Sequence, residues 1–187
     1  TGGAQADSLP VRERDCEVFV RGITMVPIGS VAALNQIVAQ GSKHRATIAT
    51  LLNSTSSRSH AILTLYVDNP QLGSHAKINI VDLAGSERQS KTGASGTVLD
   101  ESISINKSLF VLRKTIKALA GRSQGRADVS VPYRDSKLTS LLSPSLGGNS
   151  ITLMIACVNS SDAYIEDSYS TLSYAALAST IVNDPRI

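Results

Sequence analysis

Apolar runs rich in β-branched residues recur along this chain, and each predicts a strand. The clearest one, residues 77–81, ends at Asp82, with Gly85 three positions further on. A buried strand that ends in an acid and a glycine is typical of α/β sheets, which bind ligands at the carboxyl ends of their strands. Further strands are predicted at residues 61–67 and 150–158, and as a short pair around residues 14–17. Turn residues between 61–67 and 77–81 favour antiparallel pairing of those two strands.

Amphipathic spacing predicts helices in the intervening stretches. Ser30 would cap the first helix, which would end at Gly41, and a polar segment, residues 42–45, leads to a further helical stretch. The longest helix would run from about Ser104 to Gly121. Its apolar stripe consists of Ile105, Leu109, Leu112, Ile116 and Leu119.

The second half of the chain predicts two more helices. A short one would run over residues 134–142, and Pro144, inside or at the end of it, would kink or stop it. The last would be capped by Asp162, and its inner face would consist of Ile165, Tyr169, Leu172 and Ala176. Small and polar residues predict a flexible start at residues 1–8 and a mobile loop at residues 89–101.

Composition narrows the class of protein. The 187 residues are 42% hydrophobic and 4% aromatic, which suits one domain with a mostly aliphatic core. No apolar run reaches the about 20 residues of a membrane helix, and no signal-peptide pattern opens the chain. The three histidines lack metal-ligand spacing, and the two cysteines do not indicate a disulfide framework. A net charge of +3 favours an acidic partner surface, and neither a nucleic acid nor a membrane is expected as partner.

Two polar stretches beside the strands are candidates for chemistry. In nucleotide hydrolases an acid placed like Asp82 holds Mg²⁺ through water, and the amide of a glycine placed like Gly85 meets the terminal phosphate. An ordinary capped turn would have the same pattern. Residues 53–60, NSTSSRSH, concentrate hydroxyl and amide groups around Arg58, whose natural partners are carboxylates and phosphates. A flexible serine-rich surface loop is the alternative there.

Taken together, these motifs resemble those of the kinesin motor family. NSTSSRSH resembles its switch I, and DLAGSE, residues 82–87, resembles its switch II. The resemblance continues in family order through KTGASG (91–96), INKSL (105–109), VPYRDSKLT (131–139), SLGGNS (145–150) and YSTLSYA (169–175). It covers nearly all of the chain from residue 9 onward and is highly specific.

The resemblance implies a fold and a domain organisation. The fold would be α/β, part of the P-loop NTPase-like kinesin motor fold, with a central, mainly apolar β-sheet flanked by helices on both faces. Residues 1–187 would form a single partial domain, the C-terminal portion of a motor domain. The complete motor would use ATP and Mg²⁺, and it would act in the cytoplasm on the microtubule cytoskeleton.

The resemblance also implies roles for individual residues of the two switches. Ser57 would hold Mg²⁺ directly or position the attacking water, and Asp82 would hold the ion through water. Arg58 and Glu87 would form a salt bridge when both switches close, and that pair would orient or deprotonate water. The residues implied as catalytic are Ser57, Arg58, Gly85 and Glu87, and those implied as nucleotide contacts are Asn53, Ser56, Ser57, Asp82 and Gly85.

In kinesins the helix that corresponds to the longest one lies against the microtubule. Lys114 and Lys117 lie off its apolar stripe, so they form either a solvated basic face or a tubulin contact. Lys91, Arg134 and Lys137 complete the set of implied microtubule contacts. Ser140 stands where the family often has an arginine. Dimerisation would use segments outside this chain.

The phosphate-binding motif G-x-x-x-x-G-K-[ST], which precedes switch I in kinesins, is absent from these residues. We therefore expect the chain by itself neither to bind ATP tightly nor to hydrolyse it. It would need the remainder of the motor domain as a partner, and it would expose an apolar edge where that remainder packs.

Two other functions compete with an ATP-driven motor. Ser104 and Lys107 match S-x-x-K, and residues 91–93 match K-T-G, as in penicillin-binding proteins and β-lactamases. Their order is reversed, S-D-N is absent, and both matches fall inside kinesin motifs. The stronger rival is a kinesin-like module that binds microtubules or another partner without turnover.

Overall fold

The computed structural model describes residues 8–14, 17–51, 59–85, 97–126 and 128–186. Its strands and helices in chain order are β1 (Val11–Arg14), β2 (Glu17–Val20), α1 (Val31–Leu51), β3 (Ala61–Asn69), β4 (Ser74–Asp82), α2 (Thr97–Ser123), α3 (Lys137–Leu141) and α4 (Ile165–Ala178). The chain divides into two compact units, Pro27–Ile105 and the pair of segments Thr1–Val26 and Asn106–Ile187. Among the described residues, no helix is both long and apolar enough to cross a membrane.

The unit Pro27–Ile105 is built on a long β-hairpin. The described strands of the chain form two separate antiparallel pairs, and β3 with β4 is the longer. Its register runs from Asn69 opposite Ser74 at the turn to Ala61 opposite Asp82 at the other end. Gly73 takes a positive φ of 59° in the turn, a conformation that favours glycine. The antiparallel pairing predicted for these strands is confirmed, and each strand is longer than predicted.

Helix α1 begins as predicted, but its predicted end was wrong. Ser30 caps it, because the amide of Ala33 donates to the Ser30 hydroxyl oxygen at 3.2 Å. The helix does not stop at Gly41 and continues to Leu51. A mid-helix glycine costs only about 1 kcal/mol relative to alanine. Tertiary bonds of Arg45, described below, hold the turn that follows Gly41.

The second unit is organised around the packed face of α2. This helix spans Thr97–Ser123, so residues 97–101 are helical and not part of the predicted mobile loop. The buried apolar side chains of the unit come from α2, from α3 and the residue after it, and from β2: Val111, Leu112, Ile116, Leu119, Ala120, Leu138, Leu142 and Val18. The predicted stripe is thus confirmed at Leu112, Ile116 and Leu119. Strands β1 and β2 also lie where predicted and pair antiparallel.

The motif before and within α3 folds around a buried hydroxyl. A 3₁₀ turn, Tyr133–Asp135, precedes α3, and a second, Ser143–Ser145, follows it and contains Pro144. The hydroxyl of Thr139 is fully buried and lies 2.7 Å from the carbonyl oxygen of Tyr133. The Ser136 hydroxyl caps α3 by accepting from the amide of Thr139. A short helix is present and ends before Pro144, as predicted, but it begins at Lys137 and not at Arg134, which lies in the 3₁₀ turn.

The predicted strand at 150–158 was wrong. Residues 151–160 have no helix or strand assignment, and Ile151 and Leu153 are both 85% exposed. A strand needs a neighbour to satisfy its backbone amides and carbonyls, and no described strand pairs with this segment. Exposed apolar side chains are thus present here, and that the remainder of a motor domain packs against them stays a prediction.

Helix α4 also presents a different face from the one predicted. Ile165, Tyr169 and Leu172 are exposed, whereas the less exposed positions are 168, 171, 174, 175, 177 and 178. Asp162 does not cap the helix; it opens a 3₁₀ turn, Asp162–Tyr164. The neighbours available to a helix decide which of its faces packs, and apolar spacing does not name those neighbours.

The chain beyond α4 is fixed by Asn183. Its side-chain oxygen accepts from the amide of Gly147 at 2.7 Å, and its side-chain nitrogen donates to the carbonyl of Ser150 at 2.7 Å. The loop it holds depends on glycine. Gly147 has a positive φ of 78°, and a Cβ at Gly148 would lie 2.8 Å from the carbonyl oxygen of Pro144. The sequence reasoning did not identify this anchor.

Candidate functional site

The register of β3 and β4 joins the two switch-like motifs. Ala61 lies opposite Asp82, so Ser59 and His60, which precede β3, lie beside the residues that follow β4. The amide of Ala84 donates to Nδ1 of His60 at 3.0 Å. The motif that ends at His60 and the motif that begins at Asp82 are therefore bonded to each other directly.

Arg45 of α1 ties the same two motifs together. Its Nη1 lies 2.6 Å from Oδ2 of Asp82, and its Nε and Nη2 donate to the hydroxyl and carbonyl oxygens of Ser59 at 2.9 and 2.7 Å. The Arg45 side chain is 22% exposed and that of Asp82 is 69% exposed. The guanidinium group is thus held in place, while the carboxylate remains open to solvent.

The environment of His60 favours the neutral form of its imidazole. Burial lowers the pKa of its imidazole below 6.5, the nearby Arg45 cation lowers it further, and the Asp82 carboxylate raises it. Because Nδ1 accepts the Ala84 amide, the proton of the neutral ring lies on Nε2. The geometry and the direction of the pKa shift agree.

A basic groove lies in the other unit. It has a volume of about 1700 Å³ and is lined by residues from the β1 region, from α2 and from the segment around α3. We define the basic groove by its charged residues. These are the six cations Arg12, Lys114, Lys117, Arg126, Arg134 and Lys137 and the two acids Glu13 and Asp135. Four of the five predicted microtubule contacts lie together in it.

Three of these cations make contacts within the chain. Lys114 Nζ lies 5.4 Å from the ring centre of Phe110, in cation–π range. Arg134 Nη2 lies 3.1 Å from Oε2 of Glu13. Lys137 Nζ donates to the Ser8 hydroxyl and, at 3.2 Å, to the carbonyl oxygen of Leu9. The strand β1 and the residues before it therefore hold the two cations of the α3 segment.

Several predicted site residues lie outside the described residues. They are Asn53, Ser56, Ser57 and Arg58 of the first motif, Glu87 of the second, and Lys91 of KTGASG. Of the predicted nucleotide contacts, Asp82 and Gly85 are described, at the end of β4 and in the loop after it.

The sequence reasoning missed Arg45, Arg12, Arg126 and Glu13. Arg45 lies 37 positions from Asp82 along the chain, and only the packing of α1 beside the hairpin brings the two together. The sequence contained a weak signal. Arg45 is a basic residue in the polar segment 42–45, and the later motif that begins at Asp82 offers a carboxylate with which it could pair. Arg12 and Glu13 sit in a short strand whose sequence, VRER, gave no sign of its neighbour α3.

Comparison with known proteins assigns the chain to a family. A model of the kinesin motor domain matches residues 3–181. The chromosome-associated kinesin KIF4 of Gallus gallus is 43% identical over 189 aligned positions, which cover 93% of this chain and 15% of that protein. The chain thus spans less than a fifth of that relative.

Two solved structures have the same fold. One is a structure of a fast kinesin, with a TM-score of 0.80 and 41% sequence identity. The match covers 96% of this chain and 51% of the solved chain. The other is a KIF14 dimer in the two-heads-bound state, with AMP-PNP and in complex with a microtubule. It has a TM-score of 0.84 and 41% sequence identity, and the match covers 100% of this chain and 54% of the solved chain. The predicted α/β kinesin fold is confirmed, over about half the length of the solved chains. The chain belongs to the kinesin motor domain family.

Proposed function

We propose that this chain supplies the switch motifs and the microtubule-binding surface of an ATP-driven microtubule motor. The observation that carries the proposal is the direct bonding of the two switch motifs. Arg45 spans Ser59 and Asp82, and His60 receives the Ala84 amide. A change at either motif reaches the other through single hydrogen bonds, as a nucleotide-sensitive switch requires.

The residues at the end of β4 fit a Mg²⁺–nucleotide partner. In phosphoryl-transfer sites Mg²⁺ binds through one or two carboxylates together with waters and substrate phosphates. Asp82 offers one solvent-open carboxylate, and the described residues contain no cluster of three metal-binding side chains. Asp82 would hold the ion through water and Ser57 would add a hydroxyl. When bound, the ion neutralises charge on the phosphates.

The remaining switch residues would act on the phosphate and on water. Asn53 and Ser56 would contact phosphate or shape the loop, and the Gly85 amide would donate to the terminal phosphate. Arg58 and Glu87 would pair and orient the attacking water. Arg45 binds Oδ2 of the Asp82 carboxylate and also holds Ser59. The carboxylate remains 69% exposed, so a hydrated cation can approach it while Arg45 is bound.

The basic groove would bind the microtubule. Its six cations against two acids suit an acidic protein surface, and the KIF14 structure is a complex with a microtubule. Lys114, Lys117, Arg134 and Lys137 are the proposed contacts, with Lys91 as a further one. Helix α2 follows the second switch motif in the chain and carries Lys114 and Lys117, so it would transmit the state of the switches to the track.

The complete protein would be a cytoplasmic, microtubule-associated motor. It would use a phosphate-binding loop supplied by the remainder of the motor domain, and it would dimerise through segments outside these 187 residues. A kinesin-like module that binds microtubules without turnover is the second candidate. One observation favours it: the cations of the basic groove suit an acidic protein surface whether or not nucleotide is turned over.

The test is microtubule-stimulated ATPase and co-sedimentation, measured on this chain and on the complete gene product. Turnover by the complete product alone supports the motor. Co-sedimentation of both without any turnover supports the binding module. Turnover by the 187 residues alone would contradict our account of the phosphate site.

A further inference from the structure

The cations of the α3 segment are held by one short stretch, residues 8–13. Glu13 pairs with Arg134 at 3.1 Å, and Lys137 donates to Ser8 and Leu9. Both cations belong to the basic groove, and the partners of both lie in residues 8–13. An acidic partner that binds Nη2 of Arg134 therefore competes with Glu13 for this group.

The Glu13–Arg134 pair is the part of this arrangement that a partner can replace. The Arg134 side chain is 88% exposed and that of Glu13 is 54% exposed. Exposed ion pairs contribute little to stability because water screens them and two long side chains must be ordered. Strand β1 does not need the Glu13 carboxylate, since its backbone pairs with β2 in a continuous register, Glu13 opposite Val18.

Glu13 also lowers the net positive charge of the groove. It is one of two acids among eight charged residues there, so its removal takes the groove from a formal +4 to +5. A negative charge a few ångströms from the proposed contacts repels an acidic surface and lowers the rate of encounter as well as the affinity.

We propose that Glu13 is an internal competitor for Arg134, which lowers the affinity of the basic groove for an acidic protein surface until the partner displaces it. The proposal rests on the proposed function, because it concerns the same groove and partner. Glu13 is a regulatory residue in this account: it touches Arg134 and sets how much of the basic surface is available.

The experiment compares Glu13→Gln with Glu17→Gln in the complete gene product. Glutamine keeps the shape of the side chain and removes its charge. Glu17 lies in β2 of the same hairpin and is not one of the residues that line the groove, so it is a control for net charge. We expect Glu13→Gln to tighten co-sedimentation with microtubules roughly fivefold at low salt, and Glu17→Gln to leave it within error. The gain should shrink as salt rises.

A double-mutant cycle with Arg134→Ala tests the mechanism. If Glu13 acts mainly by competing for Arg134, most of the gain from Glu13→Gln is lost in the Arg134→Ala background, where only the change in groove charge remains. An undiminished gain there, or an equal gain from Glu17→Gln, overturns the proposal, because Glu13 would then act only as one more negative charge.

A soluble acidic probe separates this proposal from the proposed function. Binding of poly-L-glutamate to the same variants is measured by fluorescence anisotropy. If microtubules do not bind but Glu13→Gln tightens poly-L-glutamate roughly fivefold, the microtubule assignment fails and the competition stands. If poly-L-glutamate binding is unchanged by Glu13→Gln, the competition is refuted whatever the microtubules do.

Discussion

At the end of the β3–β4 hairpin, charge is paired over short distances. Arg45 meets Asp82 at 2.6 Å, and partial burial beside that cation favours the neutral form of His60. In the basic groove, six cations face two acids, and Arg134 and Glu13 are both open to solvent. One region keeps its charges balanced and bonded, and the other accumulates charge of one sign.

The difference shows what each region is built to recognise. A paired and partly buried set of groups responds to a ligand that competes for one atom, such as the Asp82 carboxylate, and its response is local. A groove with excess charge acts over about a Debye length, roughly 8 Å at physiological salt, and recognises a surface. Single substitutions at the hairpin end should therefore have large effects on activity that do not depend on salt. Substitutions in the groove should have smaller effects on binding that add up and that depend on salt.

The largest effect is expected at Asp82. In the complete gene product, Asp82→Asn should lower the microtubule-stimulated ATPase rate at least about 100-fold, because it removes the carboxylate that would hold the metal shell. The matched control is Asp68→Asn at the far end of the same hairpin, an acid that is similarly exposed, 66% against 69%. Steady-state ATPase at two salt concentrations is the measurement. A rate for Asp82→Asn equal to that of the control would remove Asp82 from the site.

A smaller and graded effect is expected in the groove. Lys114→Ala with Lys117→Ala should weaken co-sedimentation with microtubules roughly 10- to 30-fold at low salt, and by less at high salt. The control pair, Lys107→Ala with Arg21→Ala, removes the same charge from exposed positions of the same unit that do not line the groove. If both pairs weaken binding equally, net charge and not the groove is responsible.

The groove should also depend on the hydroxyl of Thr139. Thr139→Val removes one hydrogen bond to the carbonyl of Tyr133, which still accepts from the Ser140 hydroxyl at 2.9 Å, and should lower the free energy of unfolding by about 0.5–1.5 kcal/mol. Thr115→Val is the control, since Thr115 is equally buried but donates only to Val111 in its own helix. Chemical denaturation of the two variants decides the point. An equal or larger loss in Thr115→Val would show that the effect is that of any buried threonine hydroxyl and is not specific to the frame of the groove.

The smallest effect is a pH dependence at the hairpin end. Because the folded-state pKa of His60 lies below 6.5, the unfolded chain takes up this proton more readily than the folded chain. The stability contributed by neutral His60 is present above about pH 6.5 and is lost as the pH falls toward the lower folded-state pKa.

Hydrogen exchange of the Ala84 amide reports this directly. In the unsubstituted protein, the protection factor of this amide should decrease as the pH is lowered below 6.5. His60→Asn supplies an oxygen acceptor that does not titrate, so the variant should lose the pH dependence and keep the bond. Matching pH profiles for the two proteins would mean that another group titrates.

The sequence could reveal groups whose position follows from an element and its end. Asp82 and Gly85 were found because an apolar run stops there, and Lys114 and Lys117 because they lie off the stripe of a clear helix. Arg45 and Glu13 were missed because their partners lie 37 and 121 positions away, and such pairs exist only after packing. The motif resemblance supplied the switch roles and the contacts Arg134 and Lys137, which spacing alone would not have singled out.

The incorrect predictions for residues 150–158 and for the packed face of α4 have one cause. Residues 151–158 and the stripe of α4 that begins at Ile165 are as apolar as the stripe of α2, yet they are exposed. Hydrophobic pattern indicates which residues favour burial, and burial requires a neighbour. Leu112 and Ile116 have such a neighbour among the described residues, and Ile151 does not.

Because β3 and β4 pair one to one, the length of the turn between them determines which residues meet at the switch end of the hairpin. Each strand has nine residues, so at about 3.3 Å per residue the turn at 70–73 lies about 30 Å from Asp82. Removing one residue from that turn would shift the pairing by one position and turn each side chain of the shifted strand to the opposite face. Thr64 would lose Asn79, and His60 would no longer meet the amide of Ala84. The length of the turn and the glycine at position 73 therefore matter to a site about 30 Å away.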